Sequence, residues 1–258
     1  MQHPTPPVSA EANSPIWQIE YAGLDALLLR FAETPSHLLS QRITAASRYC
    51  LQHPAITQVT PAYASLLIEF DLLQTQAETL LQALRPALEQ VFQAPTDRLT
   101  QGSLLEIPVS YTGEDLAWVA QACGLSVTDV IEYHSQTTYL VYALGFAPGF
   151  AYLGEVDARL CLPRRRHPRT QVPAGSLALA DRQTAIYPQT SPGGWHLIGH
   201  TPVKLYDPQR QAPSLLQPGD QVRFHALATD ALQQACLDLR NRYPERFALR
   251  STEAQADA

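Results

Sequence analysis

Charge is scarce in this sequence. Only 16% of its 258 residues are charged, and 24 acidic side chains against 18 basic ones leave a net charge of -6. That balance excludes a broad surface for nucleic acid or an anionic membrane, so any basic function must be local. Long apolar runs are also missing. Stretches such as Ala26–Leu29 and Tyr139–Leu144 fall far short of the roughly 20 residues a spanning helix needs. Met1–Ser14 is proline-rich and polar, without a basic segment leading into an apolar one, so no secretory signal is expected and a cytoplasmic protein is. The four cysteines, Cys50, Cys123, Cys161 and Cys236, form no CxxC pair or Cys/His cluster. Buried free thiols are expected, with neither a disulfide framework nor a metal site. GxSxG, Walker A and HExxH patterns are all absent, so no self-sufficient catalytic set is visible.

What is present is a globular composition, 45% hydrophobic, in a chain long enough for two domains. Ala26–Phe31 reads as a strand. Ser36–Leu51 has helical spacing through Leu38, Leu39, Ile43 and Ala46 and ends at Pro54. Thr57–Thr60 and Ser65–Phe70 read as strands joined by a turn, and Thr79–Phe92 as a second helix despite Pro86. A last strand at Leu104–Val109 would complete a split β-α-β arrangement of ferredoxin-like type, with the boundary in the link Gln93–Ser103. Two short helices follow, with start signals at Thr112/Asp115 and Ser126/Asp129. From Thr138 to Phe224, Gly and Pro punctuate short apolar runs, the texture of a β-rich body. Ala228–Arg240 reads as a closing helix and the residues after Arg250 as a polar tail. The expected fold is α+β, partitioned as a tail at 1–16, an α/β domain at 17–103, a β domain at 104–228 and a helix with tail at 229–258.

The densest chemistry lies between Gly145 and Pro202. Gly145-Phe-Ala-Pro-Gly-Phe150 suits a sharply bent loop shaped by Pro148, Gly149 and Phe150, either approached by a ligand or serving as a turn with two core anchors. Leu162-Pro-Arg-Arg-Arg-His-Pro-Arg169 is the strong positive run in an acidic chain. Arg164, Arg165 and Arg169 could grip a carboxylate or phosphate through planar forks, face an acidic partner, or be solvated. Gln183 and Thr184 could read a small polar substrate or serve a hairpin. In Ser191-Pro-Gly-Gly-Trp195, Gly193 and Gly194 could bare backbone N–H groups to an anion beside the flat wall of Trp195. His200 is a candidate acid or base, or a structural histidine, with Thr201 next to it. Asp157, Asp181 and Asp207 are nearby carboxylates.

Taken in order, GFAPGFAYLG, LPRRRHPR, VPAGS, QTAIYP, SPGGWHLIGHTP and LLQPGDQVRF resemble the 5-oxoprolinase B-subunit family, also described as allophanate hydrolase subunit 1 and as the kinase inhibitor KipI. The likeness runs from Ile107 to Phe224, with a looser match at Pro61-Ala-Tyr-Ala-Ser-Leu66. The resemblance implies a small α/β domain followed by a cyclophilin-like β-barrel. It also implies partnership with C and A subunits in converting 5-oxoproline, ATP and water to glutamate, ADP and phosphate. ATP with magnesium would be shared with those partners, and the arginine and SPGGW loops would face the C subunit or a shared pocket. A kinase-inhibiting binding protein and a part of a biotin-dependent carboxyltransferase are the alternatives. Three departures stand out: Asp181-Arg182 where a Gly-Gly pair is usual, His200 where arginine is usual, and Glu155 where glycine is usual. Loss of the arginine at position 200 would either weaken substrate binding or leave the local charge to be supplied by Arg182.

Overall fold

The computed structural model describes residues 17–31, 36–95 and 102–250. The expected tails, and most of the expected link between Gln93 and Ser103, lie outside them. The chain divides into two compact units, Met1–Thr60 with Ala64–Leu99, and Pro61–Tyr63 with Thr100–Ala258.

In the first unit, β1 (Gln18–Tyr21), β2 (Ala26–Arg30), β3 (Ile56–Pro61) and β4 (Ser65–Phe70) form one sheet in the order β1-β2-β4-β3. Period-two alternation buries Leu27 and Leu29 of β2 and Leu66 and Ile68 of β4 on one face. Helices α1 (His37–Cys50) and α2 (Ala77–Gln93) pack there. Ser36 caps α1 by accepting from the Leu39 N–H at 3.2 Å. The i, i+4 row Leu80, Leu84 and Leu88 buries one face of α2, while Pro86 sits on the exposed face. The strand expected to complete this sheet does not do so. β1 takes the edge beside β2 through a hairpin, because closing so short a loop costs little entropy. Leu104–Val109 joins the second unit instead, where Leu105, Ile107 and Val109 enter its core.

That strand, β5 (Leu104–Val109), opens the second unit, which continues through α3 (Leu116–Cys123), α4 (Val127–Gln136), β6 (Thr138–Leu144) and β7 (Ala151–Gly154). β8 (Arg169–Val172), β9 (Ser176–Ala180), β10 (Gln183–Ile186), β11 (Ser191–Gly193), β12 (His196–His200) and β13 (Gln221–Ala226) follow, then α5 (Leu232–Arg242) and α6 (Pro244–Phe247). Seven strands form one sheet in the order β12-β9-β10-β7-β6-β13-β5, with β5 parallel to β13. Its two outer strands meet. Ser110 and His200 exchange backbone hydrogen bonds at 2.9 and 2.8 Å, and the Gly113 and Asp115 N–H groups reach Ile198 and Leu197 carbonyls. The sheet therefore curls around its core, and mixed helix and sheet content is as the sequence suggests.

Of the two expected helix-start signals, Ser126/Asp129 forms a full capping box. Thr112/Asp115 does not, because the Asp115 carboxylate is engaged in tertiary contacts. All four cysteines are free, but only Cys50 is buried and Cys161 is exposed. Its position beyond the turn Ala158–Leu160 leaves Cys161 outside the core, unlike the expected buried thiol.

Candidate functional site

Alternation along β9, β10 and β12 gives the curled sheet two apolar faces. Leu177, Leu179, Ile186 and Ile198 point into the main core, whereas Ala178, Ala180, Ala185, Tyr187 and Leu197 share a second cluster with Phe150, Val172 and Trp195. Three alanines, at most 1% exposed, lie beneath Phe150, Tyr187 and Trp195, themselves at most 5% exposed, so the cluster is a packed second core with the half-buried Tyr152 and Gln183 at its rim. Phe150 meets Trp195 edge-on at 5.9 Å, Tyr187 at 5.4 Å and Tyr152 at 5.0 Å, the arrangement ring quadrupoles favour. Tyr63 extends the wall, 6.1 Å from Tyr152 and 5.4 Å from Tyr142. Burial pushes the Tyr63 hydroxyl up to about 12, so it stays protonated while accepting a hydrogen bond from the Gln183 amide.

The bend that delivers Phe150 needs its glycine. Gly149 has φ +78, and a Cβ there would lie 2.7 Å from that of Tyr206. Phe146, three residues before, holds φ 71 with its side chain 64% exposed. A bulky residue in that left-handed region is strained, a feature common at binding loops.

The arginine run is divided in its work. Arg165 and Arg169 both donate to Asp115 Oδ1, at 2.9 and 2.8 Å, while the Leu197 N–H donates to Oδ2 at 2.7 Å. Arg169 also pairs with Glu114 at 2.7 Å. Burial works against the Arg169 charge, but the hydrogen bond and charge of Asp115, with Glu114 behind, outweigh it and raise its pKa. The Arg165 N–H donates to the Gly194 carbonyl at 2.8 Å, and β8 pairs Arg169 opposite Gly193, so the arginine and SPGGW loops are stitched together. A Cβ on Gly193 would lie 2.1 Å from the Tyr187 hydroxyl oxygen. Arg165 and Arg169 are therefore already matched by two carboxylates. Arg164 is different: its guanidinium lies 5.8 Å from the Trp195 ring centroid with Asp181 only at 3.7 Å, and it is largely exposed.

Thr184 faces the opposite way from Gln183. Its hydroxyl donates to the Ala178 carbonyl at 2.9 Å and lies 2.9 Å from His134 Nε2. With its one hydrogen so used, Thr184 must accept from Nε2–H, and Nδ1 then accepts from the Tyr111 hydroxyl at 2.8 Å. Burial drives the His134 pKa down to about 3, in keeping with this neutral tautomer.

His200 stands at the far end of β12 from Trp195, exposed, packed on Gly175. Thr201 is buried, its hydroxyl accepting from the Val203 N–H at 3.2 Å. The chain thus brings Phe150, Gln183, Trp195 and Arg164 together on the sheet face, shaped by Pro148 and Gly149. It puts Arg165 and Arg169 beneath the loops, Thr184 in the core, and His200 with Thr201 elsewhere. Arg182 pairs with Glu155, so two of the departures from the family pattern satisfy each other, and Arg182 lies at the opposite end of β9 from Ser176, the partner of His200. Asp181 adopts φ 52, the conformation that a glycine would take freely. Asp157 pairs with Arg159, Asp181 with Arg164 and Asp207 with Lys204, so each of the three carboxylates has a basic partner of its own. From sequence Asp115 reads only as a helix-start residue, His134 carries no signal of its own, and Tyr63 has one, its place in the Pro61–Leu66 motif. Among the described residues, no three His, Cys, Asp or Glu side chains are grouped to hold a metal, and no helix is long and apolar enough to cross a membrane.

A family model, carboxyltransferase domain, subdomain C and D, matches residues 17–216. The sequence is 38% identical to the 5-oxoprolinase B subunit of Bacillus subtilis (strain 168) over 221 residues, 81% of this chain and 92% of that protein. It is 41% identical to the 5-oxoprolinase B subunit of Escherichia coli O157:H7, over 74% of this chain and 88% of that one. The crystal structure of TTHA0988 matches with a TM-score of 0.70 and 42% identity, over 79% of this chain and 40% of that longer one.

Proposed function

The chain belongs to the carboxyltransferase-domain family, among its 5-oxoprolinase B subunits, and from this we propose that it is the B subunit of an ATP-dependent 5-oxoprolinase. The observation that carries the reading is the match along 92% of the Bacillus subtilis protein. Together with C and A subunits, it would hydrolyse the lactam C–N bond of 5-oxoproline to give glutamate, with ATP converted to ADP and phosphate, in the cytoplasm. An unstrained five-membered lactam is a poor electrophile. Transfer of the ATP γ-phosphoryl group to its carbonyl oxygen, with release of ADP, activates the carbon; water adds there, the C–N bond breaks with proton transfer to the amine, and a second water hydrolyses the resulting γ-glutamyl phosphate to glutamate and phosphate.

The second unit is proposed as the cyclophilin-like barrel of the family, with the sheet face as its contribution to the reaction. The half-buried Tyr152 and Gln183 beside the exposed Arg164 form the accessible rim of the aromatic cluster, where a small flat ring would lie. Arg164 is the exposed cation positioned for the substrate carboxylate, and Gln183 can offer its amide to the lactam. These are binding and electrostatic roles; ATP and magnesium would be held with the partner proteins, and the C subunit would dock on the arginine and SPGGW loops. The family model's description also favours a second reading, one component of a carboxyltransferase.

Reconstitution separates the two. This chain is mixed with the A and C proteins of its own genome, and glutamate formation from 5-oxoproline and ATP is followed alongside each omission. Activity of the full mixture that is lost when this chain is left out supports the oxoprolinase reading. A full, associating mixture that is inert toward 5-oxoproline but carboxylates an amide with a biotinylated carrier supports the second reading. Failure of this chain to bind the C protein refutes the first.

A further inference from the structure

A second cationic site lies away from the aromatic face. Where β12 ends, the chain from His200 to Arg210 and helices α5 and α6 enclose an open cleft of ≈ 560 Å³, within the size range of small-molecule sites. His200, Lys204, Arg210 and Arg240 supply its basic lining, Thr229 and Gln233 further polar groups, and Leu237 and Phe247 part of its apolar wall. Arg210 is only 3% exposed. Its Nη2 donates to the Lys204 carbonyl at 2.6 Å, but its Nη1 is buried with no hydrogen-bond partner. The Arg210 and Arg240 guanidinium groups both lie over the Phe247 ring, at 4.9 and 5.5 Å. The neighbouring carboxylate, Asp207, is already held by the Lys204 ammonium at 3.0 Å and the Gln209 N–H at 3.0 Å. Burial pulls the Arg210 pKa down despite Asp207.

A buried guanidinium N–H without an acceptor is costly, and proteins seldom keep one without a use. Two stacked arginines, a lysine and an imidazole around one cleft in a net-acidic chain make a local excess of positive charge. Guanidinium forks match planar carboxylates, and Leu237 and Phe247 add a surface for hydrocarbon. We propose that this cleft is a binding site for a small aliphatic carboxylate, with the Arg210 and Arg240 guanidinium groups as its anion contacts. The proposal does not depend on the oxoprolinase reading and concerns a site separate from the sheet face.

Calorimetric titration of the full chain with glutarate, L-glutamate and inorganic phosphate tests it. One saturable site for glutarate or glutamate, with Kd of about 1 mM or tighter, is expected. Arg240→Gln should weaken it at least about fivefold and Arg210→Gln at least about tenfold, roughly what loss of a charge-assisted hydrogen bond gives. Should Arg210→Gln fail to fold by circular dichroism, Lys204→Gln joins Arg240→Gln as the test pair, since both side chains are exposed. No saturable carboxylate binding, or phosphate binding more tightly than either carboxylate, overturns the proposal. So does carboxylate binding that falls with Arg164→Gln but not with Arg240→Gln, which would put the ligand on the sheet face.

Discussion

Replacing Asp115 by alanine removes a single acceptor group on which three donors depend. Its side chain is 8% exposed, and those of Arg169 and Arg165 are 17% and 33% exposed. The loss strands two partly buried cations and the Leu197 N–H. Breaking a buried charge pair by removing one partner costs about 3–5 kcal/mol. Arg165 can turn partly to water and Arg169 keeps Glu114, so the lower half of that range, about 3–4 kcal/mol, is expected. Urea unfolding followed by tryptophan fluorescence measures it, in a Trp17→Phe background so that Trp118 and Trp195 report the second unit alone. With a slope of about 2 kcal/mol per molar, the midpoint should fall by roughly 1.5–2 M. Asp115→Asn keeps an acceptor for Leu197 but loses the charge, and should cost about half as much. A loss below about 1 kcal/mol for alanine would show that the two arginines are solvated without Asp115, and the stitched-loop account would fail.

Four other outcomes are expected. Arg164→Gln, at a largely exposed side chain, should change stability by less than about 0.5 kcal/mol yet lower kcat/KM of the reconstituted enzyme about 10- to 100-fold, as loss of a charged hydrogen bond would; unchanged kinetics would remove it from the site. His134 has a folded pKa of about 3 against an ordinary 6.5, so between those values the unfolded chain holds a proton that the folded chain does not. Stability should therefore fall as pH drops below 6.5, by up to about 1.4 kcal/mol per unit, and the fall should be shallower in His134→Gln when melts are compared across that window. Gly175→Ala meets both φ +81 and a Thr201 carbonyl oxygen 2.3 Å from the new Cβ, and should cost about 2–4 kcal/mol in the same urea assay. In native protein a thiol reagent should label exposed Cys161 first, whereas Cys50, buried and with its thiol pushed up to about 12, should react only on unfolding; mass mapping of the labelled peptides checks the order.

How far the sequence carries depends on whether the decisive interaction is local. The Ser126/Asp129 box was legible because both partners lie within one helical turn. The same pattern at Thr112/Asp115 misleads, since Asp115 finds stronger partners 50 and 54 positions away. Leu104–Val109 was recognisable as a strand from its apolar alternation, but nothing in it states that its neighbour is β13 rather than β2. Composition drew attention to the arginine run, yet only folding could separate the arginines answering Asp115 from the one left exposed over Trp195. Alternation in β10 holds the key to another separation, because Gln183 and Thr184 are adjacent and so must point to opposite faces.

The parallel pairing of β5 with β13 also bears on how the protein is made. Ser103, just ahead of β5, is hydrogen-bonded to Asp220 across 117 positions. During synthesis, β5 is the first strand of the seven-stranded sheet to leave the ribosome and must wait for the segment that covers it. At about 5–20 residues per second that interval is roughly 6–25 seconds, during which an apolar strand has an unpaired edge. The second unit can therefore complete its sheet only after β13 has emerged, and its nascent form is the species most exposed to aggregation and to chaperone capture.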